Sequence, residues 1–145
     1  MKTTEEPVLV EEIFQTDINL VWKSITDKDE MIKWFFQNIP AFKPEVGFET
    51  TFKVESGERI FPHVWKIKEV KINELISYYW SYTNYAGLAV VNFKLEQINK
   101  EVKLSVLVEV LEDFDDSIPE FKRESCVGGW EYFINGQLKN YINSL

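Results

Sequence analysis

Phe48-Glu49-Thr50-Thr51-Phe52-Lys53-Val54-Glu55 is the stretch from which the fold of this chain can be read. Phe48, Thr50, Phe52 and Val54 alternate with Glu49, Thr51, Lys53 and Glu55. Successive side chains of a strand point to opposite faces, so this pattern predicts a strand with one buried and one wetted face. The same alternation returns downstream. Ser56-Gly57-Glu58 reads as a turn, and Phe61, His63, Trp65 and Ile67 follow as the next strand. Ile72-Asn73-Glu74 turns the chain again, and Ile76, Tyr78, Trp80 and Tyr82 alternate as another. A longer loop over 83–87 precedes Val91, Phe93 and Leu95. Asn99-Lys100 reads as a tight hairpin turn. Val102, Leu104, Val106, Val108 and Val110 then oppose Lys103, Ser105 and Glu109 on the other face. Consecutive strands joined by short turns pair as an antiparallel meander.

Upstream, Val8 to Gln15 is rich in β-branched residues and predicts a first strand. Asp17 can cap a short helix from about 18 to 26, with Ile18, Val21, Trp22 and Ile25 at helical spacing. Thr26 or Asp27 can cap a second, with Met31, Ile32, Trp34 and Phe35 on its apolar side and Pro40 as its stop. Phe42 to Gly47 reads as a turn. Downstream, 111–117 is acidic and irregular. Ser117-Ile118-Pro119-Glu120 matches a capping box with proline in the first turn. Trp130, Phe133, Ile134, Leu138, Tyr141, Ile142 and Leu145 then keep helical spacing. Gly128-Gly129 would kink or split this helix, or permit its close packing on the sheet. A one-sided sheet must bury its apolar face, and this helix is the only large amphipathic partner. The expected class is α+β: a curved six-stranded antiparallel sheet wrapped around a long C-terminal helix, with two short helices between strands one and two. No repeat, linker or low-complexity segment interrupts it, so residues 1–145 are expected to form a single domain.

Composition bounds the rest. The chain has 145 residues, enough for one sizeable core. Five Trp, six Tyr and eleven Phe argue against disorder. The net charge of −8 opposes nucleic-acid backbones and anionic membrane surfaces, so neither is expected as a partner. A single cysteine, Cys126, allows no internal disulfide, and no apolar run reaches signal-peptide or membrane-span length. A cytoplasmic location is expected.

Several segments carry a resemblance. These are Val21-Trp22-Lys23-Ser24-Ile25-Thr26-Asp27 with Trp34-Phe35; Pro44-Glu45-Val46-Gly47-Phe48; Glu69-Val70 leading to Ile76-Ser77-Tyr78-Tyr79-Trp80; and Gly128-Gly129-Trp130 with Leu138. In order and spacing they resemble the activator-of-Hsp90-ATPase-homologue (AHSA1-like) family of the START/Bet v 1-like (SRPBCC) superfamily. The resemblance spans nearly the whole chain and implies a helix-grip fold. It departs from the family at Ser56-Gly57-Glu58-Arg59, at the bulky Trp65, which could partly fill a cavity, and at the acidic stretch 112–116.

By alternation, Phe52, Phe61, Trp65, Trp80, Phe93, Trp130 and Phe133 should converge between sheet and helix, with Val106 on the same face. They either fill that space as a close-packed core or line it as a pocket. Buried Tyr78, Tyr82 and the indoles would need hydrogen-bond partners. His63 lies on the inward face and is the best candidate for a polar anchor. The candidate ligand-binding set is therefore Phe52, Phe61, His63, Trp65, Tyr78, Trp80, Phe93, Val106, Trp130 and Phe133. No residue is assigned a catalytic role, and no cofactor is expected. No metal is expected either. From Asp113, an EF-hand would need glycine where Ile118 stands, and zinc lacks ligands with one His and one Cys. The nucleotide-binding glycine motifs are absent.

Three functions follow from the resemblance. The first is non-enzymatic binding of a small hydrophobic or aromatic ligand. The second is a co-chaperone-like, protein-binding role; eukaryotic members add an N-terminal domain for which this chain is expected to have no room. The third is a cyclase or hydratase type of enzyme using His63.

Overall fold

The computed structural model describes residues 1–145. Strand β1 (Val8–Phe14) is followed by helices α1 (Ile18–Thr26) and α2 (Lys28–Trp34). Five strands follow: β2 (Glu49–Ser56), β3 (Arg59–Lys71), β4 (Leu75–Tyr82), β5 (Leu88–Ile98) and β6 (Glu101–Glu112). They form one antiparallel sheet in the order β1-β6-β5-β4-β3-β2, a meander with β1 added beside β6. After a 3-10 turn (Pro119–Phe121), α3 (Arg123–Trp130), a π-helical stretch (Glu131–Leu138) and α4 (Lys139–Asn143) run on as one continuous helix. This is the helix-grip arrangement that the sequence predicts.

Local chemistry explains the elements. Asp17 and Asp27 each accept a backbone N–H two residues on, from Asn19 (2.7 Å) and Asp29 (2.9 Å), satisfying helix-start donors. Asn73, Asn84 and Asn99 take the left-handed turn positions, with φ of 64°, 70° and 56°. The register shifts leave one extra residue, Lys68, in β3 opposite β4 and one, Leu111, in β6 opposite β5; such bulges bend a sheet. The concave face meets the helix, and 31 buried apolar residues form one cluster there.

The free edge of β1 is covered. Asn135 donates to the Glu11 carbonyl (2.9 Å) and Lys139 to the Ile13 carbonyl; Arg123 reaches the carbonyls of Glu6 and Pro7 just before the strand. Helix side chains thus occupy acceptors that an exposed edge would offer to another chain.

Four expectations need correction. Helix α2 ends at Trp34, six residues before Pro40. Phe35 leaves the helix (φ −102°, ψ −133°) so that its ring can stack on Trp34 at 4.7 Å inside the core. Ser117 and Glu120 form no capping box, because both side chains are engaged elsewhere. The Ser117 hydroxyl donates to Asp115 (2.6 Å), and Glu120 accepts from Ser56 (2.8 Å) on β2. The helix begins later, at Arg123, with no side-chain cap. The glycine pair does not split it; the winding widens just beyond, at Glu131–Leu138. Nor does the pair permit close packing: a Cβ placed on Gly128 or Gly129 would meet no heavy atom within 4 Å.

Candidate functional site

Strand register brings the site together. On β3 and β4, His63 pairs with Tyr82 and Trp65 with Trp80. On β4 and β5, Tyr78 pairs with Val91; on β5 and β6, Phe93 pairs with Val106. These side chains share the concave face, yet the space above them is not uniform.

Toward α2 it is filled. The Trp65 indole is fully buried among Phe35 (5.4 Å between centroids), Phe42 (6.2 Å), Tyr78 (5.0 Å) and Trp80 (5.0 Å). Phe52 meets it edge-on at 4.8 Å, and Phe93 stacks on Tyr78 at 5.6 Å. Two polar atoms are orphaned in this half: Trp65 Nε1 and the Tyr78 hydroxyl are buried without a hydrogen-bond partner. Burial pushes the Tyr78 hydroxyl well above the usual phenolic range.

Toward α3 a cavity of about 160 Å³ remains. Its floor is His63, Trp80, Tyr82, Ala89, Val91 and Val108 from the sheet. Its roof is Ser125, Cys126, Gly129, Trp130 and Phe133 from the helix. Phe36, Phe114, Phe121, Met1 and Glu120 border its ends. The space exists because the helix presents small residues here. Gly129 has no side chain to lower into it, and Cys126 only a short one.

Of the ten candidate ligand-binding residues, the structure places His63, Trp80, Trp130 and Phe133 on the cavity wall. Trp65, Tyr78, Phe52, Phe93, Phe61 and Val106 lie outside it in packed core. Phe61, for instance, is held by Tyr85 (5.1 Å) and Phe121 (5.2 Å). Sequence reasoning missed Phe36, Phe114, Phe121, Cys126 and Gly129 as wall residues. Tyr82, Val91 and Val108, also on the wall, did carry a signal, since they continue the inward alternation of β4, β5 and β6. Phe114 sits in the acidic stretch and is buried because Gly87 (φ 118°) makes room for its ring. A Cβ at Gly87 would lie 2.2 Å from the Phe114 ring.

The polar groups on the wall are few. His63 is buried, stacked on Phe52 at 5.1 Å, and its Nδ1 lies 2.9 Å from the Phe61 carbonyl. A carbonyl only accepts, so Nδ1 carries the proton and Nε2 keeps its lone pair. Desolvation pulls the imidazole pKa down to about 4, partly opposed by that hydrogen bond. The Tyr82 hydroxyl accepts from Trp80 Nε1 at 2.8 Å, and burial raises its pKa. Burial pushes the Cys126 thiol up to about 11. Cys126 and His63, which a nucleophilic pair would require together, do line one cavity. Both are held in neutral forms, and a thiol held protonated is a poor nucleophile.

The acidic stretch after β6 is used structurally. Asp113 accepts from the Thr3 backbone N–H (2.6 Å), Asp115 accepts from Ser117, and Asp116 lies 3.8 Å from the Lys2 ammonium. No three His, Cys, Asp or Glu side chains converge in a way that could hold a metal ion. No helix is long and apolar enough to cross a membrane.

Known structures share this architecture. Protein CV1439 from Chromobacterium violaceum matches with a TM-score of 0.78 at 16% identity, over 94% of this chain and 96% of that one. The Aha1 dimer from Colwellia psychrerythraea matches at 0.72 and 14%, over 95% and 96%. DynU16, a putative protein in the dynemicin biosynthetic locus, matches at 0.75 and 20%; the match covers 97% of this chain and 48% of that one. At these identities the likeness is one of fold. No curated protein matches the chain. The sequence itself is matched over residues 15–143 by the family described as activator of Hsp90 ATPase homolog 1-like protein, and the chain belongs to that family.

Proposed function

We propose that this protein is a non-enzymatic, single-domain carrier or sensor of a small hydrophobic ligand, held in the cavity between sheet and C-terminal helix and working in the cytoplasm. The observation that carries the reading is the cavity of about 160 Å³, walled mostly by apolar side chains, in a family whose fold grips a helix over such a space. Binding sites of this kind are concave and apolar with a few placed polar groups. The titratable groups on the wall support binding rather than proton transfer. A general acid or base works best with a pKa near the operating pH. His63, at about 4, and Cys126, at about 11, lie far from it on opposite sides.

Native mass spectrometry of protein purified from its own source tests this. A non-covalent adduct is expected on the wild type and absent from Gly129→Leu, whose side chain would occupy the cavity. A wild type that is repeatedly free of adduct, and whose Trp80 and Trp130 fluorescence does not respond to small apolar compounds, would overturn the reading.

A further inference from the structure

The hydrogen-bonding capacity left over on the cavity wall narrows the ligand class, and this inference rests on the binding reading above. Most of the polar side chains there are spent. Glu120 accepts from Ser56 and Arg59. The Ser125 hydroxyl donates to the Pro119 carbonyl (2.9 Å), and the Met1 amino group to the Phe121 carbonyl (2.6 Å). Trp80 Nε1 is donated to Tyr82. On the sheet floor of the cavity two strong capacities remain. His63 has an unused lone pair at Nε2, since Nδ1–H serves the Phe61 carbonyl. Tyr82 has an unused O–H, since its oxygen serves as the acceptor for Trp80. The two rings are cross-strand partners, 4.7 Å apart between centroids and nearly perpendicular (85°).

One donor beside one acceptor is matched by a group that both accepts and donates, and a hydroxyl is the smallest such group. The volume sets the rest: an apolar cavity of about 150 Å³ accepts benzene, so 160 Å³ takes one six-membered ring. Charge selects neutral compounds. The Glu120 carboxylate at the end of the cavity opposes a second anion, and the one cation there, the Met1 ammonium, already donates to the Phe121 carbonyl and lies in the field of Asp113. Around the ring would lie the aromatic faces of Phe36, Trp80, Trp130 and Phe133. We infer that the cavity takes a neutral single-ring phenol, whose hydroxyl accepts from Tyr82 and donates to His63 Nε2.

The test is calorimetric titration of the full chain with phenol, toluene, anisole and benzoate at neutral pH. Toluene has phenol's size and no hydroxyl; anisole accepts but cannot donate. The wild type is expected to bind phenol at least about tenfold more tightly than toluene and about threefold more tightly than anisole, which forfeits one of the two bonds, and benzoate not measurably. Two net hydrogen bonds of modest strength give a factor of the first order, and one gives a factor of the second. In Tyr82→Phe and His63→Leu the preference for phenol over toluene should collapse while toluene still binds, which also reports that the cavity is intact. Equal affinity of the wild type for phenol and toluene would overturn the hydroxyl assignment and leave the cavity reading standing. Failure of all four compounds to bind the wild type would overturn both.

Discussion

Trp65 and His63 lie two residues apart on one strand and one face, and they meet opposite surroundings. Trp65 is locked in aromatic rings and has no free space beside it. His63 borders a cavity. The difference comes from what lies above the strand rather than from the strand itself. Over Trp65 the chain drops Phe35 and Phe42 from the segment after α2. Over the cavity the helix presents Cys126 and Gly129. One end of the grip is closed by large residues, and the other is held open by small ones. Close packing therefore stabilises the fold at one end and leaves room for binding at the other.

The largest effect that would break this contrast is at the filled end. Trp65→Ala removes a fully buried indole from surroundings that cannot collapse, and should cost about 3–5 kcal/mol of stability, measured by chemical denaturation. Phe133→Ala, on the half-buried cavity wall, should cost clearly less. Equal losses would show the two ends to be packed alike.

A slightly smaller effect belongs to the open end. His63 is neutral in the fold down to about pH 4, whereas in the unfolded chain it protonates near 6.5. Between those values the unfolded state binds more protons, so stability is full above pH 6.5 and falls as pH drops toward 4. The loss approaches about 3 kcal/mol. Glu11, Glu12, Asp113, Asp115 and Glu120, all held below their ordinary values, add their own losses at lower pH. The difference between wild type and His63→Phe over pH 6.5 to 4 isolates the histidine. Parallel curves would mean that water reaches His63 freely.

Smaller still is the orphaned hydroxyl at the filled end. Tyr78→Phe removes a desolvated group with no partner, and should stabilise by about 1 kcal/mol. A loss of stability would reveal a hydrogen bond formed there in solution. The smallest effect is Gly129→Ala. Its Cβ meets nothing within 4 Å, and removing backbone entropy from a helix interior should raise stability by about 0.5–1 kcal/mol. Thermal melting resolves it, and a destabilised variant would mean that the helix sits closer to the sheet than described.

Much of this architecture was legible. Alternation assigned the strands and their inward faces, because a strand's side chains repeat every two residues whatever the tertiary context. Alternation does not say what stands opposite, so it could not separate Trp65 from His63. The cavity roof depends on residues such as Gly129 and Cys126, whose contribution is the volume they do not occupy, and no periodicity marks that. Ser117 and Glu120 have the spacing of a cap but not its role, since Glu120 is captured by Ser56 and Arg59 some sixty residues away in sequence. Phe114 looks like an outlier in an acidic loop until Gly87 is placed beneath it. Glu120 and Phe114 share one cause: in both a long-range contact outweighs a local preference.

The covered edge of β1 has a consequence for the order in which the molecule can be made. Val8 pairs with Val108, a hundred residues later, and the helix side chains over its outer edge come later again. At a ribosomal pace of about 5–20 residues per second, β1 waits roughly 5 to 20 s for its first partner. During that interval Val8, Val10 and Phe14, all buried in the finished fold, are held on a nascent chain with both strand edges bare. The meander from β2 to β6 can assemble in sequence as it emerges, but β1 joins only when β6 has been synthesised. Arg123, Asn135 and Lys139 then close over it, so the first strand is among the last parts of the protein to be secured.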